Sequence, residues 1–310
     1  MIRSVTFSGV CYLVCLCPML STTAQAKDYL LFYLGGQSNM DGYGYVKDLP
    51  EELQGPVPGV MIFHGNTGVD GTAADGRGIW SELVPGHGTG FRSDDKQNFL
   101  SERFGAELTF GRRLSELHPD ANIALIKYSK GGTAIDQRAA GTLGCWDPDF
   151  ESGDGTGQGV NQYDHFLATI RNATAFVDID GDGEKDNLLP TGIVWMQGET
   201  DAYFSLDVAE SYQTNLTRLM DLVRAALRHD DLPVVVGRIA DSGRITGKQM
   251  MNYGDVVREA QANFAKTDGS AALVTTTDGY EFSDSWHYDS PGYIDLGKQF
   301  ADALVNMPSP

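Results

Sequence analysis

Four short segments of this 310-residue chain carry groups that could together perform acyl transfer. Ser38 lies in Gly36-Gln37-Ser38-Asn39, directly after the apolar run 29–34. A serine placed where a buried strand breaks into a Gly-rich turn is held at the rim of a sheet, where open α/β folds gather their ligands. Capping the next helix is the other use of such a serine. Far downstream, Asp284-Ser285-Trp286-His287 sets an acid three residues before an imidazole. The acid can fix the ring's tautomer and stabilise the imidazolium while the other ring nitrogen takes a serine proton. Between them, Trp195-Met196-Gln197-Gly198-Glu199-Thr200-Asp201 ends a further apolar run. Gln197 reads as a side-chain oxyanion donor, and Glu199 and Asp201 read either as acids of the site or as charges capping the following helix. Lys130-Gly131-Gly132 closes another run. Its paired glycines either free backbone N–H groups at Gly131 or Gly132 for an oxyanion or simply turn the chain. Neither G-x-x-x-x-G-K-[ST] nor G-x-G-x-x-G occurs, which argues against phosphate cradling.

The elements that must position these groups follow from the hydropathy pattern. Short, nearly unbroken apolar runs at 29–34, 123–128, 192–196, 233–239 and 272–276 predict strands covered on both faces. Amphipathic stretches near 105–117, 163–176, 206–228, 254–266 and 293–305 predict helices between and after them. This β-α-β-α alternation predicts a parallel sheet with helices on both sides, a three-layer α/β domain. Two long connections, about 43–98 and 137–161, are rich in Gly, Asp and Pro and read as structureless substrate-binding walls at the Ser38 edge. Trp80, Phe91 and Trp146 within them are candidates to stack on sugar rings or to pin their own loops, and Gln37 and Asn39 flank the serine as substrate contacts.

Residues 1–26 stand apart. Arg3, an apolar stretch from about Val5 to Leu20 and Ala24-Gln25-Ala26 form the pattern of a secretory signal peptide, with the mature chain (27–310) beginning near Lys27. The stretch is shorter than the roughly 20 residues a spanning helix needs. The protein is therefore expected in the periplasm or the medium, without membrane insertion. Three of the four cysteines (Cys11, Cys15 and Cys17) fall in that leader, leaving Cys145 with no disulfide partner. Loss of the leader removes one cation, Arg3, and no acid, taking the net charge from -19 to -20. So acidic a surface disfavours nucleic acid and anionic membranes as partners.

Taken together, Gly36-Gln37-Ser38-Asn39-Met40, Lys130-Gly131-Gly132, 195–201 and Asp284-Ser285-Trp286-His287 resemble, in order and spacing, the blocks of the sialate O-acetylesterase-like branch of the SGNH hydrolases, which includes acetyl xylan esterases of carbohydrate esterase family 6. The resemblance spans about 28–304. It implies a flavodoxin-like α/β/α fold with a central parallel sheet, a Ser–His–acid mechanism without a cofactor, and removal of O-acetyl groups from oligo- or polysaccharides. Carried over, Ser38 is the nucleophile and His287 the base. Ser38 N–H, Gly131 or Gly132 N–H and the Gln197 amide form the oxyanion hole. Asp284 fits the general pattern of the acid, and Glu199 is its rival. A non-catalytic carbohydrate-binding protein is the alternative from a different class.

Asp178-Ile179-Asp180-Gly181-Asp182-Gly183-Glu184-Lys185-Asp186 follows the opening of a calcium loop, with Gly183 at its sharp turn. Leu189 stands where a true EF-hand has its bidentate Glu. The segment reads either as a structural calcium site held by Asp178, Asp180, Asp182, Glu184 and Asp186, or as a solvated acidic turn.

Overall fold

The computed structural model describes residues 1–2, 25–151 and 157–307, so most of the predicted signal peptide lies outside the described residues. Seven strands make the main sheet: β1 (Asp28–Gly36), β2 (Val60–His64), β3 (Trp80–Glu82), β4 (Asn122–Ser129), β5 (Asn187–Met196), β6 (Val234–Gly237) and β7 (Ala271–Val274), in the order β7-β6-β5-β1-β4-β2-β3. All pairs are parallel except β2 with β3. Without the β2–β3 pair at the edge, the strands run second-first-third-fourth-fifth, the flavodoxin-like doubly wound order. The five predicted strands and five predicted helices are all present. The latter are α1 (Glu107–Leu117), α2 (Gln162–Ala175), α4 (Leu206–Ala226), α5 (Gly254–Thr267) and α6 (Ser290–Val305), joined by a short α3 (Glu199–Phe204).

Strand residues of both parities are buried in β1, β4 and β6, as a sheet covered on both faces requires. Neighbours in β1 point to opposite faces. Phe32 meets Phe110 of α1 edge-on at 5.6 Å, and Tyr33 meets Phe166 of α2 at 4.8 Å. Helix α6 crosses α1 so closely at Gly297 that a Cβ there would lie 2.2 Å from the Ala106 carbonyl oxygen.

The connection 43–98 departs from expectation. It is not structureless but returns as β2 beside β4 and as β3 at the edge. The apolar part of β2 is only Val60-Met61-Ile62-Phe63, and the run ends in His64, which reads as polar but is buried. His64 stacks on Phe91 (4.0 Å, 10°), and His87 lies 4.9 Å from the same ring. Phe91 thus serves imidazoles of its own loop.

Burial, reinforced by the Lys127 ammonium, keeps both histidines uncharged. It holds His64 well below the usual imidazole range and His87 at about 3. An unfolded histidine titrates near 6.5, so each group costs no stability above that pH and an increasing amount as the pH falls below it. Asp201, its carboxyl raised by burial to about 7, acts in the opposite sense, favouring folding more as the pH falls. Replacing His87 isolates one contribution. The melting temperature of His87→Phe relative to the parent should rise between about pH 7 and about pH 5, by an amount equivalent to about 2 kcal/mol at the lower end. A difference that does not vary with pH would show that His87 is not held neutral.

Candidate active site

Ser38 opens a single helical turn, Ser38–Asp41, at the carboxyl end of β1. The central position of β1, with β4 on one side and β5 on the other, makes this the crevice where the strand order reverses. The entry is tight. Gly36 sits at φ +144°, and a Cβ there would lie 2.0 Å from the Met196 carbonyl oxygen, so no other residue fits without moving β5. As the first residue of a helical turn, Ser38 has an N–H without an intrahelical acceptor. On the β4 side the Lys130 N–H donates to the Gly36 carbonyl (3.0 Å), bringing the next residue against the serine. A Cβ on Gly131 would stand 3.2 Å from Ser38 Cβ. Among the described residues nothing accepts a hydrogen bond from the N–H groups of Ser38, Gly131 or Gly132. They are available to an oxyanion at the serine.

His287 lies in the loop between β7 and α6. Its Nδ1 is 2.7 Å from Asp284 Oδ2, while Asp284 Oδ1 accepts the N–H groups of Trp286 (2.7 Å) and His287 itself (2.9 Å). One carboxylate therefore fixes both the ring and its backbone, and leaves Nε2 as the nitrogen that can serve an incoming proton. Partial burial pushes the Asp284 carboxyl up, but the hydrogen bonds from the His287 ring and the two backbone N–H groups outweigh it and hold the group below the usual carboxylate range. The opposite ring face of the site is built by Tyr43, stacked flat on His287 at 3.6 Å and 2°. Ser38 and His287 both line a cavity of about 490 Å³, whose other walls include Tyr43, Leu143, Tyr203 and Trp286.

Other predicted site residues are placed differently. Gln197 is fully buried and does not line the cavity. Its amide nitrogen has three acceptors, Asp201 Oδ2 (2.6 Å), the Thr133 carbonyl (3.0 Å) and Gln37 Oε1 (3.2 Å), and its oxygen accepts from the Tyr212 hydroxyl (3.1 Å). With its donors committed, Gln197 ties the end of β5 to the loop after β4. Asp201 completes that tie by accepting the N–H groups of Ile135 (3.1 Å) and Asp136 (3.3 Å). Gln37 reaches the cavity wall but uses its oxygen on Gln197 and the Gly198 N–H (3.2 Å).

Asn39, expected to touch substrate, is 1% exposed. It donates to Glu199 Oε1 (2.6 Å) and the Trp286 carbonyl (3.1 Å) and accepts from the Tyr293 hydroxyl (2.7 Å), joining the serine turn to the histidine loop. Glu199 lines the cavity without a hydrogen bond to His287. Its second carboxylate oxygen has no partner among the described residues, and burial raises its carboxyl above the usual range.

The two tryptophans are also turned away. Trp146 is fully buried, donating to Thr133 Oγ1 (3.0 Å) and packed edge-on against Trp195. Trp80 donates to the Ala173 carbonyl (3.0 Å) and lines a separate hollow with Phe176 and Asp178. Both indoles have one N–H, and each finds its acceptor inside the fold, so they pin loops away from the Ser38 cavity, Trp146 fully buried and Trp80 half-buried. Besides Tyr43, which backs His287, the cavity is lined by the aromatic pair Tyr203 and Trp286, edge-to-face at 5.6 Å. Burial pushes the Cys145 thiol up, which removes it as a nucleophile.

Lys127 escaped the sequence reading although its position was telling, a lysine inside an unbroken apolar strand. It is fully buried, and its three ammonium protons match three acceptors: the carbonyls of Asp41 (2.9 Å) and His87 (2.7 Å) and the Glu107 carboxylate (2.7 Å). It thereby fastens the far end of the Ser38 turn to α1. No local signal marked Tyr43, whose role depends on a loop more than two hundred positions away.

The acidic loop lies before β5, at the amino edge of the sheet and away from Ser38. Carboxylate oxygens of Asp178, Asp180 and Asp186 come within 4.8 Å of one another. Asp182 instead pairs with the Lys27 ammonium (2.9 Å), and Glu184 is outside the cluster.

Residues 28–306 match the protein family described as carbohydrate esterase, sialic acid-specific acetylesterase. A probable carbohydrate esterase of Arabidopsis thaliana is 24% identical over 292 residues, covering 89% of this chain and 90% of its own. The crystal structure of an Arabidopsis thaliana protein superposes with a TM-score of 0.60 at 21% identity, covering 91% of this chain and 98% of the other. A carbohydrate acetylesterase from Xanthomonas citri gives 0.60 at 16% identity over 88% of this chain and 55% of its own. NanS gives 0.55 at 16% identity over 91% and 98%.

Proposed function

Because the chain belongs to the carbohydrate esterase family of sialic acid-specific acetylesterases, a branch of the SGNH hydrolases, and is a carbohydrate O-acetylesterase, we propose that it works by a Ser38–His287–Asp284 acetyl-enzyme mechanism in an exported protein. The observation that carries this reading is the convergence, in one cavity, of a serine on a tight strand-to-helix turn and an imidazole whose Nδ1 is already held by a carboxylate at 2.7 Å.

In the first half-reaction His287 Nε2 takes the proton of Ser38 as its oxygen attacks the acetyl carbonyl. Negative charge grows on the carbonyl oxygen, and the N–H groups of Ser38 and Gly131, with Gly132 beside them, stabilise it. Asp284 stabilises the imidazolium electrostatically without taking its proton. The imidazolium then protonates the departing sugar oxygen. In the second half a water, deprotonated by the same nitrogen, attacks the acetyl-serine, releasing acetate and restoring the hydroxyl. Tyr203 and Trp286 offer the apolar surface against which a pyranose ring would rest, with Leu143 across the cavity.

Export is supported by the Arg3, apolar-stretch and Ala24-Gln25-Ala26 pattern, and among the described residues no helix is long and apolar enough to cross a membrane.

The test is acetate release from acetylated sialic acid, acetylated xylan and acetylated monosaccharides. Release from at least one, with saturation kinetics, is expected. Binding of the acetylated sugars with no acetate released from any would replace the esterase mechanism by a carbohydrate-binding role on the same fold.

A further inference from the structure

The acidic loop that resembles a calcium site already has an occupant, the residue next to the predicted leader cleavage point. Lys27 places two nitrogens in it. Its side-chain ammonium pairs with Asp180 and with Asp182 (2.9 Å), and its backbone N–H donates to Asp186 Oδ1 (2.9 Å). The Lys27 carbonyl in turn accepts the Asn187 N–H (2.8 Å), so the segment is strapped along β5 just before β1 begins. Asp186 is only 7% exposed, and its other oxygen accepts the Ile179 N–H (2.9 Å). Gln25 and Ala26, immediately upstream, are exposed and open to a peptidase.

We propose that the loop Asp178–Asp186 is a clamp for the processed N-terminus, completed by cleavage between Ala26 and Lys27. The inference rests on the export reading above. Hydrolysis of that peptide bond consumes one water: Ala26 leaves as a carboxylate, and the Lys27 nitrogen becomes an ammonium with three protons in place of one. The new charge is created where a mostly buried carboxylate already accepts from that nitrogen. It also stands beside a cluster that is short of cations. Asp180 and Asp182 hold the Lys27 side chain, Asp186 holds its backbone N–H, and Asp178 lies beside Asp180 and Asp186, with the Tyr29 hydroxyl on Asp180 (3.2 Å) and Asp28 bonded by Asn187 (2.8 Å). Among the described residues these carboxylates meet one ammonium, that of the Lys27 side chain, and cleavage adds a second. Maturation therefore tightens the start of β1, the strand that ends at Ser38, and supplies the loop's cation from the chain itself.

The sign of the pH dependence follows. A free α-amino group titrates at about 7.7–8.0. A carboxylate partner raises that value in the folded state, so the gain is complete below about pH 7.7 and disappears as the pH climbs through the raised value.

Two forms test this, one beginning at Lys27 (released by a protease that leaves no extra residue) and one retaining Ala24-Gln25-Ala26. Both keep the Lys27 side chain and one α-ammonium, so their difference reports whether that ammonium stands at Lys27 against Asp186 or three residues upstream. The mature form is expected to melt higher by roughly 2–4 °C near neutral pH. The difference should shrink towards zero as the pH approaches 10, and vanish in Asp186→Asn. Equal melting near neutrality, a difference unaffected by pH, or one that survives Asp186→Asn would overturn the clamp. If Asp186→Asn does not fold, the pH series decides, since it uses wild-type side chains only. Addition of calcium chloride, against EDTA, should leave the mature form's melting unchanged. A calcium-dependent rise would make a metal ion the occupant and overturn the proposal. N-terminal sequencing of exported protein separates this idea from its premise. A start other than Lys27 removes the premise and the clamp with it, whereas a start at Lys27 with equal melting removes the clamp alone.

Discussion

Ser38→Ala is expected to lower acetate release about a thousandfold to a millionfold while leaving the melting temperature almost unchanged. Both halves of that expectation follow from the surroundings of the hydroxyl. It is the only atom lost, and it makes no hydrogen bond to any described residue, so its removal strands no buried partner. The backbone N–H donors remain, because Gly36, the β5 contact and Lys127 hold the turn independently of the serine side chain. The residual rate of the variant reports what the oxyanion donors and the cavity achieve without a covalent intermediate. Acetate release within tenfold of the parent would refute Ser38 as the nucleophile.

Asp284→Asn is the second large effect, and its comparison with Glu199→Gln decides between the two acids. An amide at 284 can still meet His287 Nδ1, but it stabilises the wrong tautomer and offers no charge to the imidazolium, so kcat should fall about a thousandfold to ten-thousandfold. Among the described residues Glu199 accepts a side-chain hydrogen bond from Asn39, and a glutamine oxygen can accept the same bond. Burial already disfavours the charge on Glu199, so removing it takes away little. Glu199→Gln should therefore cost less than about tenfold in kcat. The reverse ranking, with Glu199→Gln the crippled enzyme, would mean that the histidine turns to Glu199 when substrate is bound. Measuring both on the same acetylated sugar, with melting temperatures alongside, separates loss of chemistry from loss of fold.

Much of this molecule was legible before any coordinates. Unbroken apolar runs foretold the five strands of the doubly wound order, because a strand covered on both faces has no reason to alternate. Paired glycine after such a run reads as backbone left open to a ligand, and in the fold a Cβ at Gly131 would crowd the Ser38 side chain while one at Gly36 would meet the Met196 carbonyl. What misled was the assumption that a chemically capable side chain faces the site. Gln197, Asn39, Trp80 and Trp146 all carry useful groups at suggestive positions, and all four spend them inside the fold. Their partners Asp201, Tyr293, Ala173 and Thr133 lie on other segments, from four residues away for Asp201 to 254 for Tyr293. A buried donor without an acceptor costs about 1–3 kcal/mol, so the first acceptor the packing brings near claims it. The same competition hid β2, whose run ends in a buried histidine sheltered by Phe91.

The sequence by itself determined the layering of the sheet and the arrival of Ser38, Gly131, Glu199 and His287 at one edge, since these follow from local periodicity, and its spacing of three residues favoured Asp284 over Glu199 as the partner of His287. Only the tertiary structure decided that Tyr43 backs the imidazole, that Tyr203 and Trp286 form the exposed aromatic surface, that Glu199 stands apart from the histidine, and that Lys27 sits in the acidic loop. Strand formation is a property of a few consecutive residues, whereas the choice of partner for a polar group depends on every segment that folding carries into hydrogen-bond range.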